Sequence, residues 1–375
     1  MATTSAPVAK PLWDPWNAEA RWLRWLTLVW LAVGLMMLFS ASYPVAQQTT
    51  GDGLYFFKRQ LLWAGLGLAC FVLLVRIPLR RWFPWAGILC LLGIGLVWAT
   101  QVPGLGVSRL DASRWLDLKV IPVVIQPSEL LKPLLVLQGA WVFGRWFYHP
   151  AWFRGVWVGL FALALLGILL QPNLGTTAIC GLTLWVMAWT AGLPVFTLLA
   201  TAGLGILAAV VSILSKDYQR RRILAFLDPW GNAQGDGYQL VQSLLAIGSG
   251  GWWGKGYGLS LQKLFYLPIQ YTDFIFAVYA EEFGLVGSLF FLGLLSAYTW
   301  VSLRVMRRCL DLPTRLVACG CLMFLVGQAL LNIGVVTGLL PTTGVPLPLF
   351  SYGGSSILSG LIMAGLLVRA AREVG

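Results

Sequence analysis

Apolar runs of about twenty residues recur along the chain, separated by short polar connections rich in Gly, Pro and Arg. A helix rising ~1.5 Å per residue needs roughly 20 such residues to cross the hydrocarbon core of a bilayer, so each run predicts a transmembrane helix. Ten runs are counted, beginning near Leu26, Leu61, Phe83, Ser128, Val156, Thr176, Pro194, Asp273, Leu316 and Ser355. The pattern predicts an all-α polytopic membrane protein, one domain over residues 1–375 that begins with a polar cytoplasmic tail at residues 1–20. One connection is long: residues 216–272, between the seventh and eighth runs, are too polar and too rich in Gly to span. Long connections of this kind usually carry function. Inside it, Leu240, Val241, Leu244 and Leu245 have the spacing of a short helix, Tyr238–Ile247, lying on the membrane interface. There is no repeat of solenoid length.

Composition agrees with the pattern. Hydrophobic residues make up 58% of the chain and charged residues 11%, with a mean hydropathy of +0.78, whereas a soluble domain carries roughly 25% charged residues. Tryptophans gather near the ends of the runs, at Trp13, Trp16, Trp22, Trp25, Trp82 and Trp85, where indole rings favour the lipid–water boundary. The net charge of +12 comes from arginines in short loops, which describes membrane orientation and not a nucleic-acid surface. With the amino terminus inside, the inner side collects Lys10, Arg21, Arg24, Arg76, Arg80, Arg81, Arg145, Arg154, Arg304, Arg307, Arg308, Arg315, Arg369 and Arg372. The short outer loops hold only Lys58, Arg59, Arg109, Arg114 and Lys119. This asymmetry predicts that both termini are cytoplasmic, that the number of spans is even and that the long connection is outside. No cleaved signal is expected, because the first apolar run is longer than a signal-peptide core. The six cysteines lack metal-ligand or disulfide-framework spacing, and the single histidine, His149, sits in an arginine-flanked loop, so any catalysis is expected to use carboxylates.

The leading candidate is Asp273, in Tyr271-Thr-Asp-Phe-Ile-Phe-Ala-Val278, one acid at the mouth of a long apolar helix. An Asp costs roughly 2.5–3.5 kcal/mol at the centre of a membrane helix, so acids at such positions tend to serve a purpose. The simpler alternative is an N-cap. Glu281 and Glu282 follow eight and nine residues later, about 12 Å deeper on a continuous helix, and are expected to hydrogen-bond to neighbouring helices as supporting acids. Glu129 and Lys132, three residues apart beside Pro133, predict an ion pair on one helix face that either locks helices together or lines a wet cavity. Gly248–Gly258 surrounds Lys255 with glycines, a composition that suits anion contact as well as a flexible loop. Arg220, Arg221 and Arg222 read as a solvated or headgroup-facing patch. Pro341–Ser356 predicts a broken connection dipping into the membrane, with Ser351, Ser355 and Ser356 capping the last helix or lining a polar groove.

Several ordered motifs taken together resemble the SEDS family of cell-wall polymerases, its division branch (FtsW) more than its elongation branch (RodA). They are Ser113-Arg-Trp-Leu-Asp-Leu118, Gln126-Pro-Ser-Glu129 with Lys132, Gln171-Pro-Asn-Leu-Gly175, Gly237–Ser243, Gln262-Lys-Leu264 with Leu267-Pro268, Thr272–Ala277 with Glu281-Glu282, and Ser351-Tyr-Gly-Gly-Ser-Ser356. The resemblance implies a peptidoglycan glycosyltransferase of the bacterial plasma membrane that polymerises lipid II, partnered by a class B penicillin-binding protein transpeptidase and other division-machinery membrane proteins. It assigns Asp273 to the family's essential acid and Glu129 with Lys132 to its intramembrane ion pair. Asn173 stands where the family commonly has Asp, so no acid–base or metal role is carried to it.

Coupling two lipid-linked sugars needs an activated acceptor hydroxyl and positive charge at the departing pyrophosphate. Asp273 is expected to supply the first, directly or through Mg²⁺ or Mn²⁺, and Arg114, Lys255 or Lys263 the second. Ser351, Tyr352 and Ser355 are further candidates for substrate contact. A single displacement would invert the anomeric centre. The competing readings are a lipid II flippase, which needs polar passage through the whole membrane, and a non-catalytic scaffold for a partner synthase.

Overall fold

The computed structural model describes residues 16–102, 106–109, 112–117 and 124–374; Lys10, Trp13 and Lys119, with the rest of the first fifteen residues, lie outside them. In chain order the elements are α1 (Ala18–Thr50), α2 (Tyr55–Arg76), α3 (Leu79–Ala99), β1 (Gly106–Arg109), β2 (Ala112–Asp117), β3 (Val124–Ile125), α4 (Pro127–Gly144), α5 (Ala151–Leu170), α6 (Leu174–Thr190), α7 (Val195–Ser215), α8 (Asp217–Leu227), α9 (Tyr238–Gly250), α10 (Ile275–Arg308), α11 (Leu312–Leu322), α12 (Gln328–Val336) and α13 (Gly354–Arg372). A π-turn, Met323–Gly327, joins α11 to α12.

All ten expected runs are helical. Among the described residues, eight stretches are long and apolar enough to cross a membrane: α1, α2, α3, α5, α7, α10, α11 with α12, and α13. The other two are α6, with 17 residues, and α4, which carries Glu129 and Lys132 in its first half. The connection between α3 and α4 adds an antiparallel sheet in the order β1-β2-β3, which the apolar pattern did not announce. Strand pairing satisfies backbone groups locally where the chain leaves the helices.

Helices α13, α4 and α11 form the centre of the bundle. Within α13, 78% of the spanning window is buried, against 11% for α7, which lies at the periphery with its apolar side chains outward. Small residues permit the close approach of α13 to α2: a Cβ on Gly365 would stand 3.1 Å from the Phe71 Cα and 3.2 Å from its carbonyl oxygen. Association of helices in lipid relies on such packing, because lipid is as apolar as Leu.

The long connection is helical for much of its length. Its α9 coincides with the expected interfacial helix, whereas α8 was not anticipated. Glycines then lay Gly250–Gly256 against α10, which breaks at Gly284 (φ 64°, ψ −160°), a conformation open essentially to glycine alone. The break frees backbone groups that the loop satisfies: Lys255 N and Gly256 N donate to the Glu281 and Glu282 carbonyls, while Leu285 N and Val286 N donate to Gly251 and Trp252. A Cβ on Gly254 would stand 2.2 Å from the Glu282 carbonyl oxygen, and one on Gly250 2.2 Å from that of Ala280. The glycine-rich composition is therefore explained by backbone docking.

Candidate active site

Asp273 is half-buried in the turn before α10, whose cap position is Phe274, so Asp273 does not cap that helix. The backbone on either side of it is clamped. Tyr352 N donates to the Tyr271 carbonyl at 2.9 Å, Ser351 Oγ to the Thr272 carbonyl at 2.6 Å, and Asn332 Nδ2 to the Asp273 carbonyl at 2.7 Å. The carboxylate itself is lightly held: among the described residues it accepts one hydrogen bond, from Thr272 Oγ1 at 2.8 Å.

Two guanidiniums share its surroundings. Arg114, delivered by β2, donates Nε to the Gln171 carbonyl at 3.0 Å and Nη2 to the Pro172 carbonyl at 2.6 Å. Burial pushes its pKa below the ordinary arginine value and the neighbouring Arg222 adds to that, while the charge of Asp273 opposes it, so the acid and the two guanidiniums form one electrostatic cluster. Arg222, on α8, lies 4.4 Å from the Tyr218 ring centroid and donates Nη1 to the Thr342 carbonyl at 3.0 Å. Neither arginine makes a salt bridge among the described residues. Between Asp273 and Arg222 stands Gly344 (φ 67°): a Cβ there would come within 3.8 Å of Asp273 Oδ2 and 4.0 Å of Arg222 Nη1. Any larger residue would narrow the space that the acid and the cation share.

The two lysines expected at a pyrophosphate are engaged elsewhere. Lys255 pairs with Glu281 at 2.6 Å and Lys263 with Glu282 at 2.7 Å. Glu281 also accepts from Ser249, Ser260, Leu261 N and Gln262 N, and Glu282 accepts from Ser40 at 2.6 Å. Lys263 is 4% exposed and its ammonium also reaches Ser40. Charges committed in this way hold the long connection to α1 and α10. The serines do not cap α13 either, since its cap is Gly353. Ser355 Oγ instead accepts from Gln126 N at 3.0 Å, Ser351 bridges Leu347 N and the Thr272 carbonyl, and the Tyr352 ring packs on Phe56 and Tyr271.

Lys132 Nζ meets Glu129 Oε1 at 2.6 Å, with the two side chains 1% and 3% exposed, and donates to Gln328 Oε1 at 2.9 Å. Packed side chains surround this pair. Asn173 caps α6 by accepting from Thr176 N, which accounts for its type without chemistry. Among the described residues, a Mg²⁺ or Mn²⁺ ion at Asp273 would find one protein carboxylate beside two guanidiniums, and no group of three His, Cys, Asp or Glu suited to a metal occurs among them. Hard divalent ions favour several oxygen ligands, so these residues do not by themselves make a metal centre.

Comparison with known proteins decides the family. The profile of the FtsW/RodA/SpoVE group, described as "Cell cycle protein", matches residues 21–375. The chain belongs to the FtsW/RodA/SpoVE family. A Synechocystis sp. relative named "Probable peptidoglycan glycosyltransferase FtsW" is 55% identical over 370 residues, 97% of this chain and 93% of that protein. Among solved structures of the family, a chain described under "Structural coordination of polymerization and crosslinking by a peptidoglycan synthase complex" superposes with a TM-score of 0.76 at 29% identity, covering 96% of this chain and 99% of that one. Thermus thermophilus rod shape determining protein RodA superposes with a TM-score of 0.69 at 28% identity, covering 97% and 99%. This FtsW/RodA/SpoVE member is thus a multi-pass membrane protein with the fold of that group.

Sequence reasoning missed three members of the site: Arg222, Gly344 and Asn332. For Arg222 a signal existed, since Tyr218 and Arg222 are spaced i, i+4 and share a face of α8. Asn332, with Gln328 one turn earlier, is an amide in an otherwise apolar run, a placement that costs free energy unless the amide is used.

Proposed function

We propose that the chain is a peptidoglycan glycosyltransferase that polymerises lipid II during cell division, with its site on the extracytoplasmic face and both termini in the cytoplasm. The observation that carries this reading is a lightly held carboxylate next to two arginines that, among the described residues, have no salt-bridged acid. Orientation is supported by the excess of arginine in the loops assigned to the inner side.

Asp273 takes the proton of the acceptor sugar hydroxyl as that oxygen bonds to the anomeric carbon of the donor. The bond from that carbon to the lipid pyrophosphate breaks, and the leaving group departs with the electron pair. Arg114 and Arg222 offset its charge, a task for which planar guanidiniums suit phosphate oxygens. One displacement inverts the anomeric centre, and no step is routed through a metal. The lipid tails remain in the bilayer, so a helical bundle with a polar outer end suffices. A class B penicillin-binding protein transpeptidase is the proposed partner, a pairing supported by the relative solved as part of a peptidoglycan synthase complex.

The test is glycan synthesis from lipid II by the purified chain with its transpeptidase in nanodiscs. Asp273→Asn should lower the rate about 10²- to 10⁴-fold, the usual contribution of a general base, with folding and partner binding intact. Wild-type synthesis by that variant would reject the assignment. Lipid II translocation by wild-type vesicles without polymerisation would select the flippase, and partner activation without either would select the scaffold.

A further inference from the structure

Gln328 and Asn332 are 2% and 1% exposed, and their i, i+4 spacing puts both on one face of α12. Gln328 Nε2 donates to the Pro346 carbonyl at 2.8 Å, and Asn332 Nδ2 donates to the Val345 carbonyl at 2.9 Å and the Asp273 carbonyl at 2.7 Å. At its other end Gln328 accepts from Lys132, the partner of Glu129. A line of hydrogen bonds thus runs from a buried ion pair on α4, through α12 and the Val345-Pro346 backbone, to the residue that carries the reactive acid. The π-turn Met323–Gly327 lies immediately before this face and sets its register relative to α11; such turns occur often at functional sites.

The amide of Asn332 is used asymmetrically. Its Nδ2 holds two carbonyls, while its Oδ1 is buried without a partner among the described residues. An orphaned acceptor costs about 1–3 kcal/mol, so the side chain is a poor choice for stability alone and a good one for drawing two carbonyls together. One carbonyl belongs to Asp273, and the other to Val345, next to the Gly344 that borders the acid and Arg222. Because, among the described residues, the carboxylate accepts a hydrogen bond from Thr272 alone, its place depends on its backbone.

We propose that Asn332 is a positioning residue for Asp273, and that Gln328 ties that position to the Glu129–Lys132 pair. This rests on the reading of Asp273 as the base. Loss of Asn332 Nδ2 lets the turn at Asp273 and the wall at Val345 shift separately, and a displacement of ~1 Å is enough to cost about a hundredfold in rate.

The experiment measures lipid II polymerisation by the full chain with its transpeptidase in nanodiscs, for wild type, Asn332→Leu, Asp273→Asn and the double variant. Asn332→Leu keeps the number and branching of side-chain heavy atoms and removes the donor. It should lower kcat roughly 10- to 100-fold with KM within about twofold, and it should move the acid limb of the pH–rate profile. The double variant should be no slower than Asp273→Asn, because two residues that act as a unit lose their effect together. Gln328→Leu should lower kcat by a smaller factor and add nothing to Lys132→Met. A purely structural role would reduce the yield of folded protein and leave kcat and the pH profile of the folded fraction unchanged, which would overturn the proposal, as would additive losses in the double variant. If Asn332→Leu does not fold by gel filtration and tryptophan fluorescence, Asn332→Ser is held to the same criteria; failure of both to fold assigns Asn332 to folding and also overturns it. Wild-type kcat in Asp273→Asn defeats the base assignment, whereas wild-type kcat in Asn332→Leu with an inactive Asp273→Asn defeats only the positioning role.

Discussion

Asp273 and the pair Glu281–Glu282 stand within nine residues of one another at the start of the same helix, and the structure treats them in opposite ways. Glu281 is surrounded by Lys255, two serine hydroxyls and two backbone amides; Glu282 by Lys263 and Ser40. Among the described residues Asp273 receives one hydroxyl, and it faces Arg222 across a gap that Gly344 leaves open. The difference teaches how to sort acids in a membrane protein. One whose charge is neutralised by a lysine of its own chain, as in both glutamates, holds the fold, and one whose carboxylate has no such cation bonded to it is in a position to take a proton.

The contrast can be broken most forcefully at Lys263. Lys263→Met leaves Glu282 buried with Ser40 alone, and removing one partner of a buried pair costs about 3–5 kcal/mol; the variant should lose folded protein in thermal melts, and a second change, Glu282→Leu, should recover most of it. Asp273→Asn should leave the melting temperature near that of wild type. If Lys263→Met melts normally but fails to polymerise, the closed cluster is chemical and the comparison fails.

A smaller effect is expected at Gly284→Ala. The conformation alone costs about 1–3 kcal/mol, and the new Cβ would stand 2.4 Å from Gly254 N, so the melt should shift downward and Gly250–Gly256 should become accessible to protease. Stability equal to wild type would show that the glycine loop does not need to dock on α10.

The smallest effect belongs to a third kind of acid. Asp52 is partly exposed and bonded to Lys58 at 2.9 Å, which, with the Leu54 amide, holds its pKa below the usual carboxylate value. A lowered folded-state pKa contributes stability above the unfolded value and loses it as pH falls through the carboxylate range. Asp52→Asn should abolish only that contribution, leave glycan synthesis unchanged and barely move the melt, since surface ion pairs are weak. A large loss of synthesis would mean that availability to solvent, and not the neighbouring arginines, is what marks an acid as functional here.

Much of the fold was legible beforehand because lipid imposes it. A segment such as Leu26–Ser40 or Ser355–Val368 has to satisfy its backbone internally, so its helical state follows from composition, and every one of the ten expected runs is helical. Asp273 and Glu129 with Lys132 were legible as acids and bases where charge is expensive. The ion pairs of the lysines were not legible for a definite reason. Lys255 and Lys263 have the composition of an anion site, but their partners lie 26 and 19 residues away, and no local pattern marks that pairing. Arg222 was hidden among three consecutive arginines that differ only in the direction α8 gives each: Arg220 and Arg221 face Asp217 and Asp236, and Arg222 the site.

Sequence by itself determined that the chain is a bundle of membrane helices, where most of them lie, and which ionisable residues need explaining, because hydrophobic length and the expense of charge in lipid are local properties. Tertiary structure decided which charges neutralise one another, how α10 is broken and patched at Gly284, and that two arginines and the amide of Asn332 converge on Asp273. Those outcomes depend on contacts between segments tens to hundreds of residues apart, and a hydrogen bond or ion pair acquires its value only when both partners and their burial are in place.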